Sequence, residues 1–465
     1  MLHRLLGFRR AVVSLSAGSL LIFFFAADIA AAGNSRLLVF LEVPGSVIPT
    51  ELALDGLELR NGEQVVHLPL ETGDLVAEDL AGKQILLSSI EVPSGFYSSL
   101  HFTISKIIGH LGVAEVVPAP PPDGLSVPLD LEFPDGQTTT VFLRWRPAAV
   151  DPEAEFHSPD IEIQIPVVPP LGSLAFVSSA GSGSVVIINR LTSRVVGALG
   201  VGDDPRGLAY SRNNQTLYVA LAGQDAIAVV DAISLRIINM VPLQFGDDPT
   251  RLLLSFDEAT LYVLSPGSRT LTSMSVWSMQ QQFRVAVGEG PRSIAQDPVS
   301  GNLYVACEDE GRVQIVDPVS ATITSSLTLL SAPVEVVIDE QSHLLFLGGA
   351  AQRRIRSFNL SSEESGGDQN ICGTVSGLAV NPRTRRLYAS VPSCRNLAVI
   401  RPDVGIEFGS INLPGSPGLM AFDQAYRQLW VVLPEQGSLA VCNANMGQVE
   451  SVIQVGSEPY QVILP

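Results

Sequence analysis

Apolar and polar positions alternate in short runs along most of this chain, and from residue 174 onward the runs recur at a fixed interval. An apolar-aromatic signature appears at Leu174-Ala-Phe-Val, Leu217-Tyr-Val, Leu261-Tyr-Val, Leu303-Tyr-Val, Leu345-Phe-Leu, Leu387-Tyr-Ala and Leu429-Trp-Val, spaced 42 to 44 residues apart. A second marker keeps the same phase at Pro205, Pro249, Pro291, Pro333, Pro417 and Pro459, with Val375 in the one remaining place. Two independent markers on one period define seven repeats. In the second repeat, Gly207 to Tyr210, Leu217 to Leu221, Ala226 to Val230 (closed by Asp231) and Arg236 to Pro242 read as strands, with Arg212-Asn213-Asn214 as the first turn. Alternating β-branched runs of this length between Asn, Asp and Gly turns predict a four-stranded antiparallel sheet. A helical solenoid of this period would need amphipathic helices, and none is visible. Most third strands end on a turn-forming residue: Asn189, Asp231, Ser275, Asp317, Asn359 and Asn443, with Arg401 the exception.

The array opens on a second-strand signature and closes on a first-strand one, Pro459 to Leu464. The last strand is therefore expected to pair with the first repeat and close a ring, which removes the free edges of an open array. The expected fold class is all-β: a seven-bladed β-propeller over 174–465, preceded by a small β-sandwich domain. The Leu-Tyr-Val starts, the Val-Val-Asp and Ile-Val-Asp strand ends, and the turns Val201-Gly-Asp-Asp-Pro205, Val287-Gly-Glu-Gly-Pro291 and Val455-Gly-Ser-Glu-Pro459 resemble the YVTN-family β-propeller repeat. That resemblance implies a propeller of exported microbial proteins, often a binding or surface protein without known chemistry. The fifth repeat departs from it. Ser361 to Asn370 is polar and Gly-rich where an outer strand belongs, and Glu363 to Asp368 reads as a mobile loop.

Residues 36–165 also read as β, with strands expected over 36–43, 64–70, 84–92, 97–107, 125–133 and 138–146 and a rigid loop at Pro118 to Gly124. A compact β-sandwich is the expectation. Ile90 to Ile104 is similar to a domain of unknown function of exported bacterial proteins, which places a Gly-x-Tyr, here Gly95-Phe96-Tyr97, before an alternating strand. Pro166, Pro169, Pro170, Gly172 and Ser173 mark a linker over 166–173.

Residues 1–32 carry Arg4, Arg9 and Arg10, then an apolar run, then Ala30-Ala31-Ala32. This is the order of a secretory signal with cleavage after Ala32. The run approaches bilayer length, so an uncleaved anchor is the competing reading. No later segment is long and apolar enough to span a membrane, so none should remain after cleavage. The chain carries 28 Lys and Arg against 47 Asp and Glu, a net charge of −19. That field repels nucleic acid and anionic membranes.

Four Cys and six His are too few and too scattered for a disulfide framework, a haem attachment or a paired zinc site, and only His343 lies beyond residue 160. No cofactor and no metal site is expected. G-x-S-x-G, H-E-x-x-H, Walker and G-x-G-x-x-G motifs are absent. No Ser stands near a His in a recognisable triad order, so no catalytic residue is assigned. Cys372 and Cys394 fall in two turns that open on one propeller face, a placement that permits a disulfide after export. Cys307 and Cys442 sit in strands and read as buried small hydrophobes. Glu308-Asp309-Glu310 reads as a solvated acidic turn, and Trp145, Trp277 and Trp430 read as core.

The best candidate site is a rim at one end of the propeller channel. Turns between successive repeats bring Asp203, Asp204, Asp247, Asp248, Glu289 and Glu458 to one face, with Arg206, Arg251 and Arg292 just past the turn prolines and Glu335 and Gln461 at related places. Asp before Pro also favours the turn itself, and exposed Asp–Arg neighbours contribute little. The expected function is an exported, non-catalytic binding or scaffold protein of the cell envelope, presenting a propeller face to a protein or surface-polymer partner. The alternative is a lactonase-like or metal-assisted hydrolase with its site at the channel mouth, and a purely structural surface or adhesion role is a third reading.

Overall fold

Strands form where β-branched and aromatic residues alternate, and they stop where an Asx side chain turns the backbone. The third strand of the second repeat, Ala226–Asp231, ends on a carboxylate that accepts the backbone N–H groups of Ile233 (3.0 Å) and Ser234 (2.7 Å). Asn189, Asp317, Asn359 and Asn443 accept backbone N–H groups in the same way. The computed structural model describes residues 33–465 apart from 46, 112–113, 150–155, 329–331, 350–352, 363 and 403–405. The expected signal at 1–32 lies outside the described residues.

Among the described residues, seven antiparallel sheets of four strands follow residue 174. Six are built from consecutive strands, as in Pro205–Ser211, Thr216–Leu221, Ala226–Asp231 and Arg236–Pro242. The remaining sheet joins Leu174–Ser179, Ser184–Asn189 and Arg194–Gly200 to the C-terminal strand Pro459–Ile463. The register is Phe176 opposite Ile463 and Val177 opposite Val462. Each sheet shares a buried apolar cluster with the next, and the last shares one with the first, where Trp430, Val432 and Val441 meet Ala175, Val177 and Ile188. Arg190 crosses the same junction to Asp423 at 2.7 Å, both buried.

The N-terminal region forms two sheets over one core. One places Asn34–Glu42 between Gln84–Pro93 (antiparallel) and Thr138–Arg146 (parallel), with Asp160–Gln164 at the edge. The other is built on Thr50–Asn61 and Gly95–Leu111. Leu37, Val39 and Leu41 from the first sheet and Leu52, Leu57, Leu100 and Phe102 from the second fill the core between them. Strand Thr50–Asn61 is absent from the sequence reading because Asp55-Gly56 imitates a hairpin turn. In the fold those residues lie at a bulge that keeps Leu54 and Leu57 on the core face.

Residues 33–465 form one compact unit. Leu38, Phe40, Leu86 and Phe142 point away from the N-terminal core and enter the cluster between the first and last repeat sheets. The rings of Phe40 and Phe142 stack at 5.6 Å. The Gln84 side chain pairs with both backbone groups of Val195, accepting from its N–H at 2.9 Å and donating to its carbonyl at 3.2 Å. Arg194 bonds Glu42 and the Gly82 carbonyl. Gly200 is required here, because a Cβ would lie 2.9 Å from the backbone nitrogen of Thr138.

Two further expectations are corrected. Trp145 and Trp430 are core, but Trp277 is 77% exposed, because it sits at the tip of a turn past strand Thr270–Ser275 and not within the strand. The polar stretch of the fifth repeat is not a loop. Glu364–Asn370 pairs with Arg354–Asn359, and Asp368 bonds both Arg354 (3.1 Å) and Arg356 (2.9 Å). An outer strand needs backbone pairing but little burial, so polar residues serve.

Candidate functional site

Four of the turns entering the repeat sheets share a backbone requirement that selects their residues. The position before each turn proline is left-handed in Asp204 (φ 50°), Asp248 (φ 50°) and Glu458 (φ 52°), and the same place in another repeat is Gly290 (φ 64°). Asp tolerates this conformation better than most non-glycine residues, so Asp204 and Asp248 have a local reason to be there. Glu458 does not.

These turns and those between second and third strands surround a cavity of about 840 Å³. Its apolar lining includes Val334, Val375, Leu419 and several turn prolines, and its polar lining includes Arg206, Arg251, Arg292 and Tyr460. Each of the three cations already has a carboxylate. Arg206 grips Asp204 through Nε at 3.0 and 2.9 Å and lies 5.4 Å from the Tyr460 ring centre. That hydrogen bonding holds the Arg206 guanidinium above its ordinary range. Arg292 Nε meets Glu308 at 2.8 Å. Arg251 turns inward to Glu335, which also accepts from Ser293 Oγ at 2.9 Å. Burial pushes the Glu335 carboxyl up, against the pull of Arg251.

Asp248, Asp309, Glu435 and Glu458 line the same cavity, and none of them forms an ion pair among the described residues. Burial raises the Asp248 carboxyl above its usual value, with Arg206 pulling down and Asp204 and Asp225 adding repulsion. The mouth is therefore an apolar bowl with excess negative charge.

The sequence rim is only partly gathered here. Arg206, Asp248, Arg251, Arg292 and Glu458 line the mouth. Glu335 and Gln461 lie around a smaller cavity of about 200 Å³ with Arg251, and Gln461 Oε1 accepts the Leu208 N–H at 3.0 Å. Asp204 serves by holding Arg206. Asp203 lines a shallow groove against Arg36, Glu91 and Thr138 of the N-terminal sheet. Glu289 pairs with Arg269 on the surface. Asp247 is 0% exposed and bonded by both Arg284 nitrogens at 2.9 and 2.6 Å, so it secures a turn and faces no ligand. Asp309, Glu435 and Tyr460 were missed. Glu308 to Gly311 and Pro434 to Gly437 hold the same place in their repeats as Cys394, a turn already assigned to this face, and that was the available signal.

Cys372 and Cys394 are joined by a disulfide across 6.5 Å between their Cα atoms. Cys307 and Cys442 are buried, and burial pushes their thiols up to about 11 and about 12. Among the described residues, no three or more His, Cys, Asp or Glu side chains gather as metal ligands, and no helix is long and apolar enough to cross a membrane.

Neither a protein-family model nor a curated protein matches the chain. Solved structures do. Kuenenia stuttgartiensis hydrazine synthase aligns at a TM-score of 0.53 and 17% identity, covering 59% of this chain and 93% of that one. The β-propeller domain of Myceliophteria thermophila Cps50 (Swd1) aligns at 0.50 and 17%, covering 58% and 94%. Dihydro-heme d1 dehydrogenase NirN aligns at 0.53 and 12%, covering 64% and 76%. The repeat array thus has a β-propeller fold. Enzymes stand among these neighbours, and likeness at such identities carries the fold alone.

Proposed function

We propose that this chain is an exported, non-catalytic binding protein of the cell envelope, built as a seven-bladed propeller of the YVTN type with a docked N-terminal β-sandwich. Its channel mouth takes a basic segment of a protein or surface-polymer partner. The observation that carries this reading is the set of four carboxylates, Asp248, Asp309, Glu435 and Glu458, without ion pairs among the described residues, around an apolar bowl whose three arginines are each engaged. A cationic ligand gains most where the surrounding charge is negative and the walls are of low dielectric. The Val-Gly-x-x-Pro turns and the in-phase prolines support the repeat family, and the Arg4 to Ala32 segment supports export.

The test is in-cell crosslinking of the full-length exported chain, with mass spectrometry of what is captured. The triple variant D309N/E435Q/E458Q removes three charges at nearly constant shape. A partner captured by the wild type and lost in the variant and at high ionic strength is the expected outcome. A protein that captures nothing, or a partner indifferent to the variant, would sink the reading.

A further inference from the structure

At the strand ends opposite the mouth, three side chains from separate turns form a chain of hydrogen bonds. Asp297 ends strand 1 of the fourth repeat sheet, His343 lies in the first turn of the fifth, and Ser361 lies in the third turn of the fifth. His343 Nε2 is 2.7 Å from Asp297 Oδ1, and His343 Nδ1 is 2.7 Å from Ser361 Oγ. Exposure rises along the chain: the Asp297 side chain is 4% exposed, His343 is 18% exposed, and Ser361 is open to solvent.

The tautomer follows from these partners. Asp297 also accepts from the N–H groups of Val299 and Ser300 and from Ser300 Oγ at 2.6 Å. Those bonds, with that from His343, outweigh burial and hold its carboxyl below the ordinary range. An ionised carboxylate only accepts, so the neutral imidazole must carry its proton on Nε2. Nδ1 then offers a lone pair, and the Ser361 hydroxyl must donate to it. A hydroxyl donating into a base whose far nitrogen is fixed by a buried carboxylate is the requirement for an activated nucleophile.

The other sheets show that this arrangement is not forced by the repeat. The left-handed turn position of His343 (φ 55°) holds Glu258 in the third sheet and Arg385 in the sixth, where Glu258 accepts from Ser211 Oγ and Arg385 pairs with Asp339 at 3.7 Å as plain ties to the preceding sheet. The position of Ser361, two residues past the third strand, is Leu191, Ile233, Trp277 and Val319 in the first four repeats and Asp403 and Asn445 in the last two, so no other repeat has a hydroxyl there. A nucleophile coincides with a base in this sheet.

We propose that Ser361 is a nucleophilic serine that accepts acyl or phosphonyl groups from small activated esters, with His343 as its general base and Asp297 as the positioning residue. This goes beyond the binding reading and does not depend on it. In the step, Ser361 Oγ bonds the carbonyl carbon or phosphorus as its proton passes to Nδ1. The bond to the leaving group then breaks, and His343 returns the proton to that group. The N–H groups of Ser361 and Ser362 are both held by Asn359 Oδ1, so they do not serve a developing oxyanion. Transfer onto Ser361 is therefore the event expected, with release to water slow.

The experiment incubates the purified exported chain with a fluorophosphonate probe, which loses fluoride, and maps the label by peptide mass spectrometry. General-base assistance should make Ser361 react about 100-fold faster than the exposed hydroxyls of Ser320 and Ser278. The label should vanish in Ser361→Ala and fall about 100-fold in His343→Ala, with added imidazole restoring part of it. Asp297→Asn should depress labelling and Asp297→Glu should restore part of it. Ser361 reacting no faster than the other serines overturns the proposal, as does labelling unchanged in a folded His343→Ala protein.

Discussion

The outermost strands of the first and fourth repeat sheets occupy equivalent places and have opposite surroundings. Arg194–Gly200 has no exposed residue, because the N-terminal sheet lies across it and the Gln84 side chain bonds its edge. Thr322–Thr328 is exposed along nearly its whole length. The first is Val-rich and the second Thr- and Ser-rich, so each composition matches its environment. A bare outer strand is held instead by polar ties: Arg284 to Asp247 in the third sheet, Asp368 to Arg354 and Arg356 in the fifth, and Glu450 to Gln428 and Asn443 in the seventh. Burial and local polar ties are two ways of holding the same strand, and burial backed by the Gln84–Val195 and Arg194–Glu42 bonds joins the N-terminal region to the ring.

Breaking the covered side should have the largest effect. Phe40→Ala opens a cavity between the N-terminal sheet and the ring and is expected to cost about 3–5 kcal/mol in denaturant unfolding. Ile323→Ala on the bare strand should stay within about 0.5 kcal/mol. Similar losses for the two would mean that the N-terminal region is not docked as described.

The sixth sheet has a mostly exposed outer strand over 407–410 and a covalent staple at its entry, the Cys372–Cys394 bond spanning 22 residues. Cys372→Ser is expected to cost about 3 kcal/mol, read as a lower thermal midpoint that reducing agent does not lower further.

The third sheet tests the polar ties. Burial alone would push the Asp247 carboxyl up, but hydrogen bonds from Arg284, Ser268 and the backbone outweigh it and leave the carboxyl below its ordinary value. A folded-state value below the unfolded one, about 3.9, contributes stability above that pH and loses it as pH falls through the folded value. Asp247→Asn is expected to cost about 2 kcal/mol at pH 7. Its gap to the wild type should shrink as pH drops below about 4, and a gap independent of pH would refute the assignment.

Much of this was legible in the sequence because repeat sheets are local. Strands 42 to 44 residues apart on a two-residue apolar period specify four-stranded sheets, and the first-strand signature at Pro459 to Leu464 is the one that pairs with the first repeat. The mouth was legible by position, since turns of one kind emerge on one face. Which carboxylates stay free there was not, because Asp247 and Asp248 are neighbours in sequence and only packing sends one to Arg284 and the other to the cavity.

The sequence by itself determined most of the repeat strands, the repeat, the closing pair and the sign of the charge, all properties of local pattern and composition. Tertiary structure decided what depends on distant side chains meeting. Leu37 to Leu41 is an unbroken apolar run, the mark of a strand buried on both faces. Only the docked fold shows that one face serves the N-terminal core and the other the ring. It also decided that Asp297, His343 and Ser361 touch, since a hydrogen bond depends on separation in space and these residues are far apart along the chain.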